Sequence, residues 1–190
     1  MSFIKFEKIL GLDLDGVIID HTAPKLAFAK SRGFQISPSQ THSDIIKNII
    51  PPALKNEMMH YLYDDEATIG LAGLIPGALE GLKRTKQSGI KYFLISRRKN
   101  PAVAVKHLEF HGLWSQYFNS ENVAFVLTPE DKNTKAAEWG ITHYVDDQLH
   151  VLEKMHSVPN RFHFDNYNLF DGAPFCRKVT SWEELYENIR

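Results

Sequence analysis

The sequence has a single cysteine, Cys176, so it can close no intramolecular disulfide and supply no cysteine-rich zinc site. This favours a reducing compartment, and a cytoplasmic protein is expected. No stretch approaches the ~20 apolar residues of a membrane span, and charges interrupt the apolar residues of MSFIKFEKILGLDLDG too early for a signal peptide. An excess of one charge is also missing. Twenty-two Lys and Arg stand against 23 Asp and Glu, a net charge of −1 that provides no overall field for drawing the chain onto nucleic acid or an anionic membrane.

What is present is an ordinary globular composition, 43% hydrophobic and 24% charged over 190 residues. A chain of this length buries roughly 70% of its unfolded surface, which suits one domain with at most a small insertion. Short apolar runs at Ile9–Leu14, Ile90–Ile95, Val123–Leu127, Thr142–Val145 and Arg161–Phe164 read as strands. Helical segments lie between them. One opens at Pro76-Gly77 and closes at Gly89, another runs from Pro101 to Gly112, and a third from Thr128-Pro129 to Gly140. Ser181 and Glu184 have capping-box spacing and predict a last helix through Ile189, after a turn-rich loop over Asp165–Pro174. This alternation predicts an α/β fold, a doubly wound parallel sheet covered on both faces.

About sixty residues between the first strand and Pro76 break the alternation. They contain no convincing strand and read as helical over Pro24–Ser31, Ser43–Ile50 and Ala53–Tyr63. The expected organisation is a core of residues 1–20 and 74–190 with a small helical cap, 21–73, over the carboxyl ends of the strands. Open α/β sheets bind ligands there.

Asp13-Leu14-Asp15-Gly16 stands where the first strand ends. Residues i and i+2 of a strand share a side, so both acids would face one volume, and Gly16 permits a sharp exit. Asp146-Asp147 follows His143-Tyr144-Val145, a second strand end. Four carboxylates in one cleft require protonation or a hard cation, and Mg2+ suits oxygen ligands of this kind. Ser96 ends the strand KYFLI, and Lys132 opens the helix leading to the acidic pair. In isolation, the serine would cap the next segment and the lysine would be solvated.

Taken in order, LDLDGV, FLIS, DK and YVDD resemble the four short motifs of the haloacid dehalogenase superfamily, spanning about residues 8 to 155. The first and last motifs are the specific ones. The resemblance implies a phosphohydrolase in which Asp13 is the nucleophile and forms an aspartyl-phosphate. Asp15 would serve as acid and base, with its backbone carbonyl on the metal. Ser96 and Lys132 would hold the phosphoryl oxygens, and Asp146 and Asp147 the metal, with the direct ligand left open. Lys135 competes for the third motif, and Lys132 is preferred for its place near the helix start. An acid at position 15 points to phosphate chemistry, since members acting on carbon halides lack it.

The metal set is thus Asp13, Asp15, Asp146 and Asp147 around Mg2+, and the partner a small phosphorylated metabolite, a nucleotide or a sugar phosphate being candidates. A phosphomutase and a non-enzymatic metal-binding module that keeps the fold are the alternatives. Arg97, Arg98 and Lys99 form a basic cluster after Ser96, with Arg97 as a candidate for a second anionic group of the substrate. His107 and His111 have helical i, i+4 spacing without the glutamate of a zinc-protease motif, and His21 lies near the first acidic pair. Met58, Met59, Tyr61, Leu62 and Tyr63 line either the cap core or a pocket, while Trp114, Tyr117, Phe118 and Cys176 read as packing residues.

Overall fold

The computed structural model describes residues 7–190, so residues 1–6 of the expected core lie outside the described residues. The chain enters through β1 (Ile9–Leu12) and β2 (Ile19–Asp20). It then forms α1 (Thr22–Ser31), α2 (Ser43–Ile49) and α3 (Pro52–Tyr63), and returns through β3 (Gly73–Leu74). Regular alternation follows, with α4 (Ala78–Gln87), β4 (Lys91–Arg97), α5 (Pro101–Phe110), β5 (Val123–Val126), α6 (Pro129–Glu138) and β6 (His143–Asp146). The last elements are α7 (Leu149–Lys154), β7 (Asn160–Phe164), β8 (Arg177–Val179) and α8 (Trp182–Ile189).

Six strands form a fully parallel sheet in the order β5-β4-β1-β6-β7-β8. The chain works outward from β1 to β5 on one side and then crosses back to β6, so the order reverses between β1 and β6. Their carboxyl ends flank the crevice where open α/β sheets take ligands. Asp13 N donates to Val145 O at 2.9 Å, extending the β1–β6 ladder by one residue and setting the first acidic segment beside the second.

Neighbouring residues on the central strands point to opposite faces. Leu94 joins a core with Leu82, Leu108, Trp182 and Leu185, whereas Ile95 joins one with Ala136, Tyr144, Leu152 and Met155. Helices α4, α5 and α8 therefore cover one face, and α6 and α7 the other. The expected doubly wound α/β fold is what the chain adopts. Among the elements outside expectation are one strand and one helix of the carboxyl-terminal half. The edge strand β8 lies after the turn-rich loop, and α7 fills the connection after the acidic pair.

Helix starts follow local chemistry. Thr128 Oγ1 accepts from Asp131 N at 3.1 Å while Asp131 Oδ2 accepts from Thr128 N at 2.9 Å, a reciprocal box that starts α6 and fixes the position of Lys132 one residue later. Ser181 Oγ accepts from Glu184 N, but the Glu184 carboxylate turns to Thr180 N instead of closing the box. Pro52 occupies the first turn of α3, where its missing N–H costs no helical bond.

Residues 21–72 leave and rejoin the sheet through an antiparallel ribbon in which Ile19 pairs with Leu74 and Asp20 with Gly73. Such two-residue strands are too short to read from sequence. Phe28, Ile46, Ile50, Met58 and Leu62 give this segment a small core of its own. Among the described residues, no helix is long and apolar enough to cross a membrane.

Candidate active site

Asp13, Asp146 and Asp147 offer carboxylate oxygens within 4.8 Å of one another, all in buried residues. They meet because β1 and β6 are adjacent and in register, with Leu12 opposite Val145. Lys132 reaches them from α6 and donates from Nζ to Asp13 Oδ1 and to Asp146 Oδ2, each at 2.7 Å. Its side chain is 1% exposed. Lys135 instead pairs with Glu138 and lies over Trp139 on the outer side of the helix.

Burial pushes Asp13 up to about 7, with Lys132 pulling the other way. Asp147 is raised well above the carboxylate range by burial and by its neighbours Asp146 and Asp13. The Lys132 ammonium, held well above its ordinary value by Asp13 and Asp146, is among the described residues the one cation bonded to these carboxylates, while the buried Lys25 ammonium also opposes the rise at Asp147. A divalent cation fits this donor set, since three hard oxygen donors stand together with too little positive charge to keep all of them ionised.

Ser96, near the end of β4, is fully buried, and its hydroxyl has no hydrogen-bond partner among the described residues. Buried hydroxyls are ordinarily paired, so this orphan marks a place for a polar ligand.

Asp15 belongs to the expected metal set, yet its carboxylate faces elsewhere. Arg98 grips it through Nε at 2.8 Å and Nη2 at 2.6 Å, and His21 Nε2 lies 2.7 Å from Oδ1. Arg98 and His21 hold the Asp15 carboxyl far below its usual range despite burial that acts to raise it. The side chain is thus tied to Arg98 and His21 and is not among the three carboxylates that converge.

Arg97 bonds to Gln148, whereas Arg98 enters the interior and lies over the ring of Tyr63 at 4.2 Å. Of the basic cluster, it is Arg98 that touches the acidic residues. His21 faces His107 at 5.5 Å, and burial pulls His107 down to about 4, keeping it neutral. His111 Nε2 bonds to Ala72 O at 3.0 Å, so the two helical histidines do not share a ligand. In the inserted segment Met58 and Leu62 pack inward, Met59 is exposed, and Tyr63 reaches the site. Tyr117 and Phe118 are core residues with Trp114 packed against them, and Cys176 is half-buried against the α6–α7 core.

A further contact escaped sequence reading. His42 accepts from Asp44 N on Nδ1 at 3.1 Å, which leaves Nε2 as the donor to Asp147 O at 3.2 Å. His163 Nε2 approaches the same carbonyl at 3.1 Å. Two imidazoles, one from each segment, thereby fix the backbone at Asp147.

No protein-family model and no curated protein matches the sequence at a significant level. Solved structures do match in fold. A HAD family hydrolase from Deinococcus radiodurans, crystallised with phosphate and sodium, has a TM-score of 0.65 at 15% identity, over 94% of this chain and 93% of that one. A predicted phosphatase from Clostridium acetobutylicum has a TM-score of 0.66 at 16% identity, over 96% and 98%. A subfamily IA HAD-superfamily hydrolase from Geobacter sulfurreducens has 0.60 at 17% identity, over 97% of both chains. With four motifs at four strand or helix ends and similarity along nearly the whole chain, this protein has the fold of the haloacid dehalogenase superfamily hydrolases.

Proposed function

We propose that the chain is a magnesium-dependent phosphohydrolase that cleaves a small phosphomonoester through an aspartyl-phosphate on Asp13. The observation that carries this reading is the buried convergence of Asp13, Asp146 and Asp147 under Lys132. Residues 21–73 serve as the cap over that site, and 1–20 with 74–190 as the core.

Asp13, Asp146 and Asp147, with the Asp15 backbone carbonyl, would hold Mg2+. When bound, the ion would supply the positive charge that keeps these acids ionised and offsets the charge on the transferring phosphoryl group. A carboxylate oxygen of Asp13 attacks phosphorus as the ester P–O bond breaks. The departing oxygen takes a proton from the Asp15 carboxyl. Water then attacks the aspartyl-phosphate and gives a proton to Asp15, and the bond from Asp13 to phosphorus breaks, so the enzyme returns unchanged and the net reaction is hydrolysis. Ser96 Oγ and Lys132 Nζ donate to nonbridging oxygens, positions for which the orphaned hydroxyl and the double ion pair are suited. Held ionised by Arg98, Asp15 can accept the proton of the second step as it stands; to donate in the first it must carry a proton taken up from solvent, which requires that grip to loosen.

The test is phosphate release from a panel of small phosphomonoesters, with Mg2+ or with EDTA, by the wild type and by Asp13→Asn. Release that needs the metal and vanishes in the variant is expected. Mg2+ binding without release from any ester would overturn the reading in favour of a binding module, and phosphoryl transfer from a bisphosphate without free phosphate would point to a mutase.

A further inference from the structure

Asp147 stands one residue past β6, before the start of α7, where the strand ladder no longer fixes its backbone. Two side chains do so instead. His163 on β7 and His42 in the inserted segment direct Nε2 at its carbonyl oxygen, at 3.1 and 3.2 Å, and so occupy both lone pairs of that acceptor. The carbonyl and the carboxylate of Asp147 branch from one Cα, so holding the first limits where the second can point. One of the two holds comes from the parallel sheet, the other from the insertion.

His42 is itself set in place by its neighbours. Asp44 N donates to Nδ1 at 3.1 Å, which puts the proton on Nε2, and the ring packs on Phe170 at 4.7 Å between centroids. Lys25 Nζ, from α1, donates to Thr41 O at 2.9 Å and approaches Ser43 Oγ at 3.4 Å, one residue to either side of His42. His42 O accepts from Ile45 N and Ile46 N, each at 2.9 Å, so the same residue starts α2. A displacement of α2 therefore takes the imidazole from Asp147 with it. Among the described residues, the Asp13 and Asp146 carboxylates lack such a tie, since they bond to Lys132 and, at Asp146, to Gln148 N, all outside the insertion.

We propose that His42 is a positioning residue for the metal site, and that through it the affinity for Mg2+ depends on the docking of the inserted segment. This rests on the phosphohydrolase reading, whose metal group includes Asp147. Partners that orient a metal ligand from behind set the affinity nearly as strongly as the ligands do. Linkage makes the effect reciprocal, so a cation that binds better when α2 is docked must also hold α2 in place.

The test measures Mg2+ affinity by calorimetric titration, and amide exchange in α2 with Mg2+ or with EDTA. His42→Phe keeps an aromatic ring against Phe170 and removes the donor, whereas His42→Gln keeps an N–H donor. His42→Phe is expected to weaken Mg2+ binding by about tenfold or more, and His42→Gln to restore most of that loss. In the wild type, Mg2+ is expected to slow exchange of the Ile45 and Ile46 amides by a similar factor. Unchanged affinity in His42→Phe, an equal loss in His42→Gln, or wild-type exchange that ignores Mg2+ would overturn the assignment, while phosphate release dependent on Mg2+ and Asp13 left the phosphohydrolase reading standing. No Mg2+ binding by the wild type would overturn both. The wild-type exchange needs no variant, so it decides the matter even if His42→Phe does not fold.

Discussion

Arg98 and Asp15 are joined by two parallel hydrogen bonds, from Nε and Nη2 to the two carboxylate oxygens, and the Arg98 side chain is 2% exposed. This bidentate geometry suits guanidinium and not ammonium. Taking away one partner of such a pair leaves an unmatched buried charge, which costs more than removing both. Arg98→Leu is therefore expected to lower stability by about 3 kcal/mol, and Asp15→Asn together with Arg98→Leu to recover part of that loss. Urea unfolding of the wild type, both single variants and the double variant measures the coupling. Additive losses would mean that the pair contributes nothing beyond its separate contacts.

Lys132 holds Asp13 and Asp146 at the same distance, so it acts on both the proposed nucleophile and an acid proposed to bind the metal. If its main task is to stabilise phosphoryl charge, Lys132→Met should reduce phosphate release by about 100- to 1000-fold, the scale for one preorganised donor. Mg2+ affinity should be retained, because the metal gains when a competing cation leaves its ligands. Calorimetric titration with Mg2+ beside the rate assay separates the two. Metal binding lost along with activity would show that the lysine is needed to assemble the acids.

Without metal, the folded chain keeps protons on Asp13 up to about 7, whereas the unfolded chain releases them near 3.8. Asp147 is raised in the same direction. Between those values the folded state binds more protons than the unfolded one, so these acids make stability fall as pH rises. Asp15 has the opposite sign, but its lowered value acts only below the ordinary carboxylate range. Metal binding requires the ionised acids. Mg2+ should thus raise the melting temperature more at about pH 8 than at about pH 5, measured against EDTA at each pH. An equal shift at both would show that protons and Mg2+ do not compete for these carboxylates.

The acidic motifs were legible because a parallel sheet converts sequence order into position. A carboxylate placed just after an apolar run must emerge at a strand's carboxyl end, and adjacent strands bring such ends together. Arg98 was open to the same logic. β4 runs on through Arg97, so Ser96 and Arg98, two apart, share a side and Arg97 takes the other. An expected strand ending at Ile95 concealed that alternation. The β8 strand, Arg177–Val179, has only three residues, two of them charged, and carries no periodic signal. Lys25 could not be singled out from sequence at all. On a helix it looks solvated, and its burial comes from Thr41, Ser43 and neighbouring residues that only the folded inserted segment brings around it.

Gly16 and Gly33 both have φ of +82°, which an L side chain adopts at a cost of about 1–2 kcal/mol. They differ in their surroundings. A Cβ at Gly33 would meet nothing within 4 Å, whereas at Gly16 it would stand 2.5 Å from Asp147 Oδ2 and 2.7 Å from Asp147 Cγ. Gly33→Ala therefore isolates the backbone cost, and Gly16→Ala adds displacement of a carboxylate placed in the metal group. Asp147 has little freedom to yield, because His42 and His163 both hold its carbonyl. Both variants are expected to lose about 1–2 kcal/mol of stability, with Gly16→Ala the larger, but only Gly16→Ala should weaken Mg2+ binding, by about tenfold or more. Calorimetric titration of the two variants checks this. Unchanged Mg2+ affinity in Gly16→Ala would remove Asp147 from the metal group and leave Asp13 and Asp146 as its carboxylate ligands.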